Sequence, residues 1–321
     1  MLKMNRPLAA GAVATSAILI LSACGSGSSG GKNLTYLPGV AGDNFYISVG
    51  CAAKVEAKKL GYKLDIQAPQ KFDATLQRPI LDSAVAKKPA ALIVTPTDES
   101  ALQLSLEQAK RDGIKIVLSD TTTKDPTVAV SSVTGDNVAI GTSAFEAIKA
   151  AHPNGGKVLV INSAPGISTG DDRGKGFEKA AKSDSSFTYL GQQYAQDDNA
   201  KAAQLTAAAL QKNPDIVAIF GTSGNETQGA ATAVRQAGKK GKIMVVGVDA
   251  YPAQVKALET GDLQALIAQD VSAIGEQSIL QAVNAVEGKK VTKQILVKST
   301  IITKESLGTP EGQAAVYKTK C

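Results

Sequence analysis

Residues 90–121 read AALIVTPTDESALQLSLEQAKRDGIKIVLSDT. Two short apolar runs, 90–94 and 114–118, flank a longer helical segment that ends at Gly113. A glycine directly before a strand is typical of a helix that closes with a left-handed C-cap. Strand, helix and strand in this order predict two parallel strands joined by a right-handed crossover.

The same rhythm repeats on both sides of this unit. Further helical segments end at Gly61, Gly238 and Gly261, each with a strand close behind it. Two such series predict an α/β fold of two doubly wound parallel-sheet lobes. The polar segment after residue 302 has no clear place in this pattern. The other strand candidates are 34–37, 63–67, 128–133, 157–162, 187–190, 216–220, 243–248, 266–269 and 294–299, and a helix is expected at 273–287.

The start of the chain predicts export. Lys3 and Arg6 precede a short apolar run, and Leu21-Ser-Ala-Cys24 follows it. This arrangement is typical of a secretory signal, and the apolar run is too short and interrupted to span a bilayer well. Leu-Ser-Ala-Cys also resembles the bacterial lipobox, so we expect cleavage after residue 23 and a lipid on Cys24. An ordinary signal cleavage that leaves Cys24 free is the alternative. Residues 24–33 are then a Gly/Ser-rich flexible tether.

Charge and composition argue against nucleic-acid binding. The chain has 35 Lys and Arg against 29 Asp and Glu, a formal net charge of +6, and its lysines are scattered among acids. No tryptophan is present and aromatic residues make up 4% of the chain, so platforms for base stacking are scarce. The length suits two domains of roughly 150 residues.

Polar residues follow almost every predicted strand. Ligands of open α/β sheets bind beyond the carboxyl ends of the strands, so these residues are candidates for a binding site. Any single one could be a helix N-cap or a turn residue. Together they offer carboxylates, amides, one arginine and two aromatic faces, which suits a polyhydroxylated ligand. The predicted ligand-binding residues are Asp43, Phe45, Tyr46, Thr95, Ser119, Asp120, Arg173, Asp197, Ser223, Asn225, Asp249 and Gln269.

These stretches resemble the ribose-binding branch of the type I periplasmic binding proteins, the sugar-capturing subunits of ABC importers. The resemblance covers nearly the whole mature chain. It is carried by Asp43-Asn-Phe-Tyr46, Leu92-Ile-Val-Thr-Pro-Thr-Asp98, residues 168–177 with Arg173-Gly-Lys-Gly-Phe177, Val245-Val-Gly-Val-Asp249, and Ala268-Gln269 leading to Ile274-Gly275.

The resemblance implies roles for several of these side chains. It implies that Phe45 and Tyr46 stack on a sugar. Arg173 and Asp249 would bond its hydroxyls from one lobe, and Asp43 and Thr95 from the other, with Gln269 beside an interlobe crossing. The chain departs from the family pattern at two places. It has Ser119-Asp120 where an Asp-Arg pair is common, and Ser223-Gly-Asn225 where Asn-Asp is common, so the identity of the sugar stays open.

An enzyme alternative rests on Gly166-Ile-Ser-Thr-Gly170, which matches the G-x-S-x-G nucleophile elbow. The only histidine is His152, which precedes the serine, whereas that fold places its histidine after the nucleophile. His152 is better interpreted as a surface-loop residue beside Pro153 and Asn154. One histidine and three distant cysteines form no recognisable zinc site. We therefore expect no catalysis, no metal and no cofactor.

If Cys24 carries a lipid, Cys51 and Cys321 are the only cysteines left to pair. An oxidising exterior favours a disulfide between them, which would pin the polar tail. Two free thiols are the alternative.

The expected function is capture of a monosaccharide by hinge closure and delivery to an ABC permease. The expected organisation is a signal peptide (1–23), a tether (24–33), an N-terminal lobe (34–134 plus 270–297) and a C-terminal lobe with tail (135–269 plus 298–321). Three crossings near 134–137, 269–272 and 297–300 would form the hinge. We expect a monomer, lipid-anchored to the outer face of a bacterial cell membrane. A sugar-sensing lipoprotein that signals to a membrane receptor, and a polyol or nucleoside-like ligand, are the alternatives.

Overall fold

A computed structural model describes residues 1–2 and 31–321. The signal sequence, lipid attachment at Cys24 and most of the tether fall on residues 3–30 and lie outside the described residues. The strands are β1 (Asn33–Leu37), β2 (Lys63–Ile66), β3 (Ala91–Val94), β4 (Lys115–Ser119), β5 (Ser131–Gly135), β6 (Gly156–Asn162), β7 (Phe187–Tyr194), β8 (Ile216–Gly221), β9 (Met244–Val248), β10 (Ala265–Gln269), β11 (Gln294–Val297) and β12 (Ser299–Ile302).

Helices alternate with these strands, as the sequence predicts. They are α1 (Asn44–Lys59), α2 (Ala74–Ala86), α3 (Gln103–Arg111), α4 (Asn137–Ala151), α5 (Ser168–Ser183), α6 (Asn199–Lys212), α7 (Gly224–Gln236), α8 (Pro252–Thr260), α9 (Val271–Val286) and α10 (Pro310–Ala314). The predicted glycine caps are confirmed, because Gly61, Gly113, Gly238 and Gly261 all have φ between 66° and 85°.

The strands form two six-stranded sheets. The first has the order β11-β5-β4-β3-β1-β2 and is parallel throughout, and the second has the order β12-β10-β9-β8-β6-β7. In the second sheet only the β10–β12 pair is antiparallel among the described strands. The predicted α/β fold with two doubly wound sheets is confirmed. We call the first sheet with its helices the N-terminal lobe and the second the C-terminal lobe.

Alternating side chains bury both faces of each sheet, as a doubly wound sheet requires. In β3, Ile93 packs in the cluster that includes α1 and α9, while Leu92 packs in the cluster that includes α2 and α3. In β6, Val160 faces α4 and α5, and Leu159 faces the other helix layer. The pattern of the sequence therefore places the crossover helices on both faces of the sheets.

Three crossings join the lobes. Asp136 and Asp270 open two of them with nearly equal backbone angles, φ −75° and ψ 81° against φ −75° and ψ 82°. Each accepts a backbone hydrogen bond as an N-cap, Asp136 from Ala139 and Asp270 from Ala273. The third crossing lies at Lys298, whose carbonyl accepts from Asp270 N at 3.1 Å. The second and third crossings are therefore hydrogen-bonded to each other.

Three strand predictions are wrong in their bounds. The strand predicted at 187–190 continues to Tyr194. The strand predicted at 294–299 is two strands, because the chain leaves the first sheet after Val297 and enters the second at Ser299. It arrives without a crossover helix, so β12 pairs antiparallel with β10. The strand predicted at 128–133 runs instead from Ser131 to Gly135, because Pro126 opens a short 3₁₀ turn before it.

Candidate ligand-binding site

A cavity of about 60 Å³ lies between the lobes, at the carboxyl ends of the strands of both sheets. The loops that follow β1 and β4 line it from one side, and those that follow β6, β7, β8 and β9 line it from the other. This is the crevice where open α/β sheets bind ligands. The predicted residues that line it are Asp43, Phe45, Tyr46, Asp120, Arg173, Asp197, Ser223, Asp249 and Gln269.

Asp43 reaches into the cavity while it begins helix α1. Its Oδ1 accepts from Phe45 N at 2.8 Å and Tyr46 N at 3.4 Å, which is a helix N-cap. Its Oδ2 accepts from the hydroxyl of Tyr251 at 2.6 Å, across the two lobes. One carboxylate thus caps a helix and joins the lobes.

Aromatic rings form the N-terminal-lobe wall of the cavity. Phe45 is buried and meets Tyr46 edge to face, with 5.0 Å between ring centroids. The ring of Phe72 lies nearly parallel to Tyr46 at 6.5 Å. The Tyr46 hydroxyl donates to Asp120 Oδ2 at 3.0 Å, so its ring is held by a hydrogen bond as well as by packing.

Arg173 enters the cavity from the first turns of α5 and is 4% exposed. Its Nε donates to Asn137 Oδ1 at 2.9 Å and its Nη1 donates to the carbonyl of Thr222 at 2.8 Å. Its Nη2 is buried and has no protein partner. A buried guanidinium N–H without a partner is costly, and a ligand oxygen would satisfy it.

Asp120, Asp197 and Asp249 line the cavity with left-handed backbone angles, φ 67°, 55° and 78°. Asp120 follows β4 and Asp249 follows β9, which are equivalent strands of the two sheets. Their amides make equivalent bonds, from Asp120 N to Val133 O at 2.8 Å and from Asp249 N to Ile267 O at 3.0 Å. Such conformations are uncommon outside glycine and collect at functional sites.

The carboxyl groups of the cavity resist ionisation. Burial raises the pKa of Asp120 to about 6 and the pKa of Asp249 to about 7, and in both cases the Arg173 charge opposes the rise. Burial and the nearby Glu226 raise the pKa of Asp197 to about 7. Burial also raises the pKa of Asp43. A desolvated carboxylate disfavours its charged form, so donor groups from a ligand would stabilise these side chains.

Three predicted residues do not line the cavity. Thr95 is fully buried in the N-terminal lobe, and its carbonyl accepts from Gln77. Ser119 is also buried, and its hydroxyl accepts from Ser278 of α9 at 3.2 Å. Ser119 is the last residue of β4, and the next residue, Asp120, lines the cavity in its place. Asn225 stands behind the wall, where its amide donates to Asp197 Oδ1 at 3.1 Å and holds that carboxylate.

Several lining residues escape the sequence analysis. Tyr251 comes two residues after Asp249, the last residue predicted for the loop after β9. A prediction that took in the whole loop would have included it. Phe72 lies in the loop between β2 and α2, which carries no motif. The other lining residues outside the predicted set are Val40, Ser163, Ile167 and Thr169.

The serine of the G-x-S-x-G stretch has a structural role at the start of a helix. Ser168 begins helix α5, and its hydroxyl accepts from Thr122 N at 2.9 Å, across the lobes. His152 ends helix α4 as its C-cap. Within residues 1–2 and 31–321, no cluster of His, Cys, Asp and Glu side chains could hold a metal ion. The same residues contain no helix with the length and apolar character that a membrane span needs.

The predicted cysteine pair is brought together. Cys51 of α1 and Cys321 have Cα atoms 5.4 Å apart, a separation that a disulfide spans, and the structure joins their sulfur atoms.

Comparison with known proteins identifies the family. Residues 34–290 match the model of the periplasmic binding protein domain. The ribose import binding protein of Escherichia coli K12 is 31% identical over 261 residues, which cover 81% of this chain and 87% of that protein. The D-allose-binding periplasmic protein of the same organism is 31% identical over 255 residues, covering 77% and 82%.

Solved structures agree with this result. An ABC transporter solute-binding protein from Agrobacterium vitis, bound to α-D-tagatopyranose, is 31% identical to this chain with a TM-score of 0.87. The match covers 89% of this chain and 99% of that one. The family match over most of the chain and the two-lobed α/β architecture lead to one conclusion: this chain belongs to the periplasmic binding protein family.

Proposed function

We propose that this protein captures a monosaccharide outside the cytoplasm by closing its lobes around it, and delivers the sugar to an ABC importer. The observation that carries the proposal is the wall chemistry of the interlobe cavity. Buried Arg173 Nη2 and Gln269 Oε1 have no protein partner, and both residues line the cavity beside aromatic rings. A sugar supplies both oxygen acceptors and hydroxyl donors, and its C–H surface packs on aromatic faces.

The charge of the cavity narrows the ligand class. Asp43, Asp120, Asp197 and Asp249 line it against the single guanidinium of Arg173. Carboxylates accept hydrogen bonds from hydroxyl groups but repel anions. Four carboxyl groups against one guanidinium leave no surplus of positive charge for an anion, so we expect a neutral sugar or polyol rather than a uronic acid or a sugar phosphate.

A panel of sugars tests this proposal. The mature protein is screened by thermal shift against D-ribose, D-allose, D-tagatose, D-galactose, myo-inositol, D-glucuronate and ribose 5-phosphate, and positive sugars are titrated by calorimetry. At least one neutral compound is expected to raise Tm and bind with one site per chain. Binding of only the two anionic compounds would contradict the charge argument, and binding of none of a wider neutral panel would contradict the function.

The finer parts of the proposal concern attachment and assembly. Lipid on Cys24 would keep the protein beside its permease, with residues 24–33 as the tether. The proposal also places the boundaries between the lobes at residues 134, 269 and 297, and it takes the protein to be a monomer. Mass spectrometry of the membrane fraction tests the lipid, since a Cys24→Ser variant would be released in soluble form.

Intact mass after alkylation without reductant tests the disulfide, because labelling of both Cys51 and Cys321 would exclude it.

A further inference from the structure

The tail that follows α10 connects the two lobes a fourth time. Tyr317 N donates to the carbonyl of Ala250 in the C-terminal lobe at 2.9 Å. One residue later, Lys318 N donates to Ser48 Oγ on α1 of the N-terminal lobe at 2.7 Å. Asn44 Nδ2, also on α1, donates to the Lys318 carbonyl at 3.0 Å. The tail then ends at Cys321, against Cys51 of the same helix.

Tyr317 lies behind the cavity and contacts two of its lining residues. Its side chain is 2% exposed. Its oxygen accepts from Gln269 N at 2.9 Å, and its hydroxyl donates to Asp249 Oδ1 at 3.3 Å. The edge of its ring meets Phe45, with 5.8 Å between centroids. One tail residue therefore contacts the carboxylate of Asp249, the backbone N–H of Gln269 and the ring of Phe45.

Asp249 needs such support more than an ordinary residue does. Its left-handed φ of 78° is a sparsely populated conformation for an aspartate, and it persists only when the surrounding structure holds it. Gly224 N donates to the other carboxylate oxygen at 3.1 Å, and Gln269 Nε2 approaches Oδ1 at 3.5 Å. The Tyr317 hydroxyl completes this set.

Besides Tyr317, the tail is held by the two hydrogen bonds between Lys318 and α1, and Ala315 and Val316 are only partly buried. Residues 318–321 are exposed, and chain ends of this kind fray unless they are tied down. The pairing of Cys321 with Cys51 supplies the tie. Cys51 lies on the helix whose first turn carries Phe45 and Tyr46, so the tie is made to the element that forms the aromatic wall.

We propose that the C-terminal tail, residues 315–321, is a structural part of the sugar site: Tyr317 positions Asp249 and Gln269 for ligand binding, and the bridge from Cys321 to Cys51 keeps Tyr317 in place. This proposal rests on the proposed function for its effect on affinity. Its effect on the ligand-free protein does not depend on any sugar.

Tyr317→Phe is the sharpest variant, because it keeps the ring and removes only the hydroxyl. In the ligand-free protein, hydrogen exchange of the Gln269 amide is expected to become at least roughly tenfold faster, since that N–H loses its acceptor. The Cys51→Ser/Cys321→Ser double variant is expected to accelerate the same amide and those of Tyr317 and Lys318. Tyr194→Phe, at an exposed position, serves as the control and leaves them unchanged.

Binding supplies the second measurement, with the neutral sugar that gives the largest thermal shift among D-ribose, D-allose and D-tagatose. Affinity of Tyr317→Phe is expected to fall roughly tenfold. The acidic limb of the affinity–pH profile moves to higher pH, because Asp249 loses a donor that favours its ionised form. The other charged and titratable groups that act on Asp249 are Asp43, Asp120, Asp197, Tyr251 and Arg173, and Gln269 and Gly224 also donate to its carboxylate; the variant replaces none of them.

The outcomes separate the two proposals. Unchanged exchange at Gln269 in Tyr317→Phe would overturn the positioning role. Unchanged exchange in the cysteine double variant would overturn the role of the bridge. If wild type binds no compound of the wider neutral panel but the exchange results hold, the proposed function fails and the structural role of the tail stands.

Discussion

Arg173 is the single guanidinium in the cavity, whose other polar lining groups are carboxyl groups, hydroxyls and the Gln269 amide. Two of its nitrogens are used by Asn137 and Thr222, so its side chain is held in place before any ligand arrives. Its third nitrogen is left for a ligand oxygen. A preorganised donor of this kind binds with little ordering cost.

Replacement of Arg173 by Ala is therefore expected to weaken sugar binding by about tenfold or more, because the ligand oxygen and the Asn137 and Thr222 acceptors all lose a charged donor. Ser168→Ala is expected to have a smaller effect, since Ser168 contacts Thr122 rather than the cavity. Isothermal titration calorimetry measures both. The reverse order of effects would count against this site.

The buried carboxyl of Asp249 predicts a pH dependence of stability. Its pKa of about 7 in the folded protein is above that of an unfolded aspartate, which is about 4. The folded state therefore binds the proton more tightly. This group's contribution to the free energy of unfolding is fully present below about pH 4 and is lost as the pH rises through about 7.

Tm of the ligand-free protein should fall between pH 5 and pH 8, and Asp249→Asn should reduce that fall by at least about 3 °C. Part of the fall of Tm with pH remains in this variant, because the pKa values of Asp120 and Asp197 are also raised. Asp82→Asn, on the exposed face of α2, is the matched control and should retain the wild-type profile. Parallel profiles for Asp249→Asn and wild type would refute the assignment.

At the scale of elements, helix pairs such as α1 with α9 and α4 with α5 approach so closely that only glycine fits between them. A Cβ on Gly275 of α9 would lie 2.4 Å from the carbonyl oxygen of Val49 in α1. A Cβ on Gly141 of α4 would lie 1.9 Å from the carbonyl oxygen of Arg173 in α5. Both contacts are with backbone, which cannot rotate away. The second one also sets the position of the helix that carries the arginine.

Gly275→Ala is accordingly expected to lower the free energy of unfolding by about 1–3 kcal/mol, because the added methyl forces α1 and α9 apart. Gly308→Ala is the control, since a Cβ there meets nothing within 4 Å. Urea unfolding followed by circular dichroism gives both values. Equal stability of the two variants would show that the helix pair can separate without cost.

For the whole molecule, the closed arrangement of lobes depends on a few polar contacts. Tyr251 donates to Asp43, Thr122 N donates to Ser168, and Glu99 N donates to the carbonyl of Gly166 at 3.0 Å. Each bond joins one lobe to the other at the rim or wall of the cleft. Hinge closure around a ligand would make these bonds, and opening would break them.

Tyr251→Phe removes one interlobe bond without changing the ring. Sugar affinity is expected to fall roughly tenfold, mainly through faster dissociation, because the closed form loses stability while the encounter is unaffected. Stopped-flow tyrosine fluorescence separates the two rates, with Tyr194→Phe as the control. A change confined to the association rate would argue against a closing role.

Particular residues show how far the sequence carries the fold and the site. The runs at 90–94 and 114–118 and the glycine between them predicted β3, α3 and β4, because period and caps are local properties. Asp120 after β4 and Asp249 after β9 were predicted to lie in the site because the end of a strand is also recognised from a local pattern. The sequence could not show that Asp120 lines the cavity while Thr95 and Ser119 are buried in the lobe. A shift of one residue at the end of a strand decides whether a side chain enters the cleft or the core.

The sequence by itself determined the alternation of strands and helices, the membership of the family and the strand ends that meet at the cleft, because these depend on local periodicity and on short motifs. Only the tertiary structure decided that β12 pairs antiparallel with β10, that Tyr251 and Phe72 line the cavity, and that Tyr317 lies behind Asp249. Those facts depend on contacts between residues far apart in the chain, such as Asp249 and Tyr317, and no local pattern encodes such contacts.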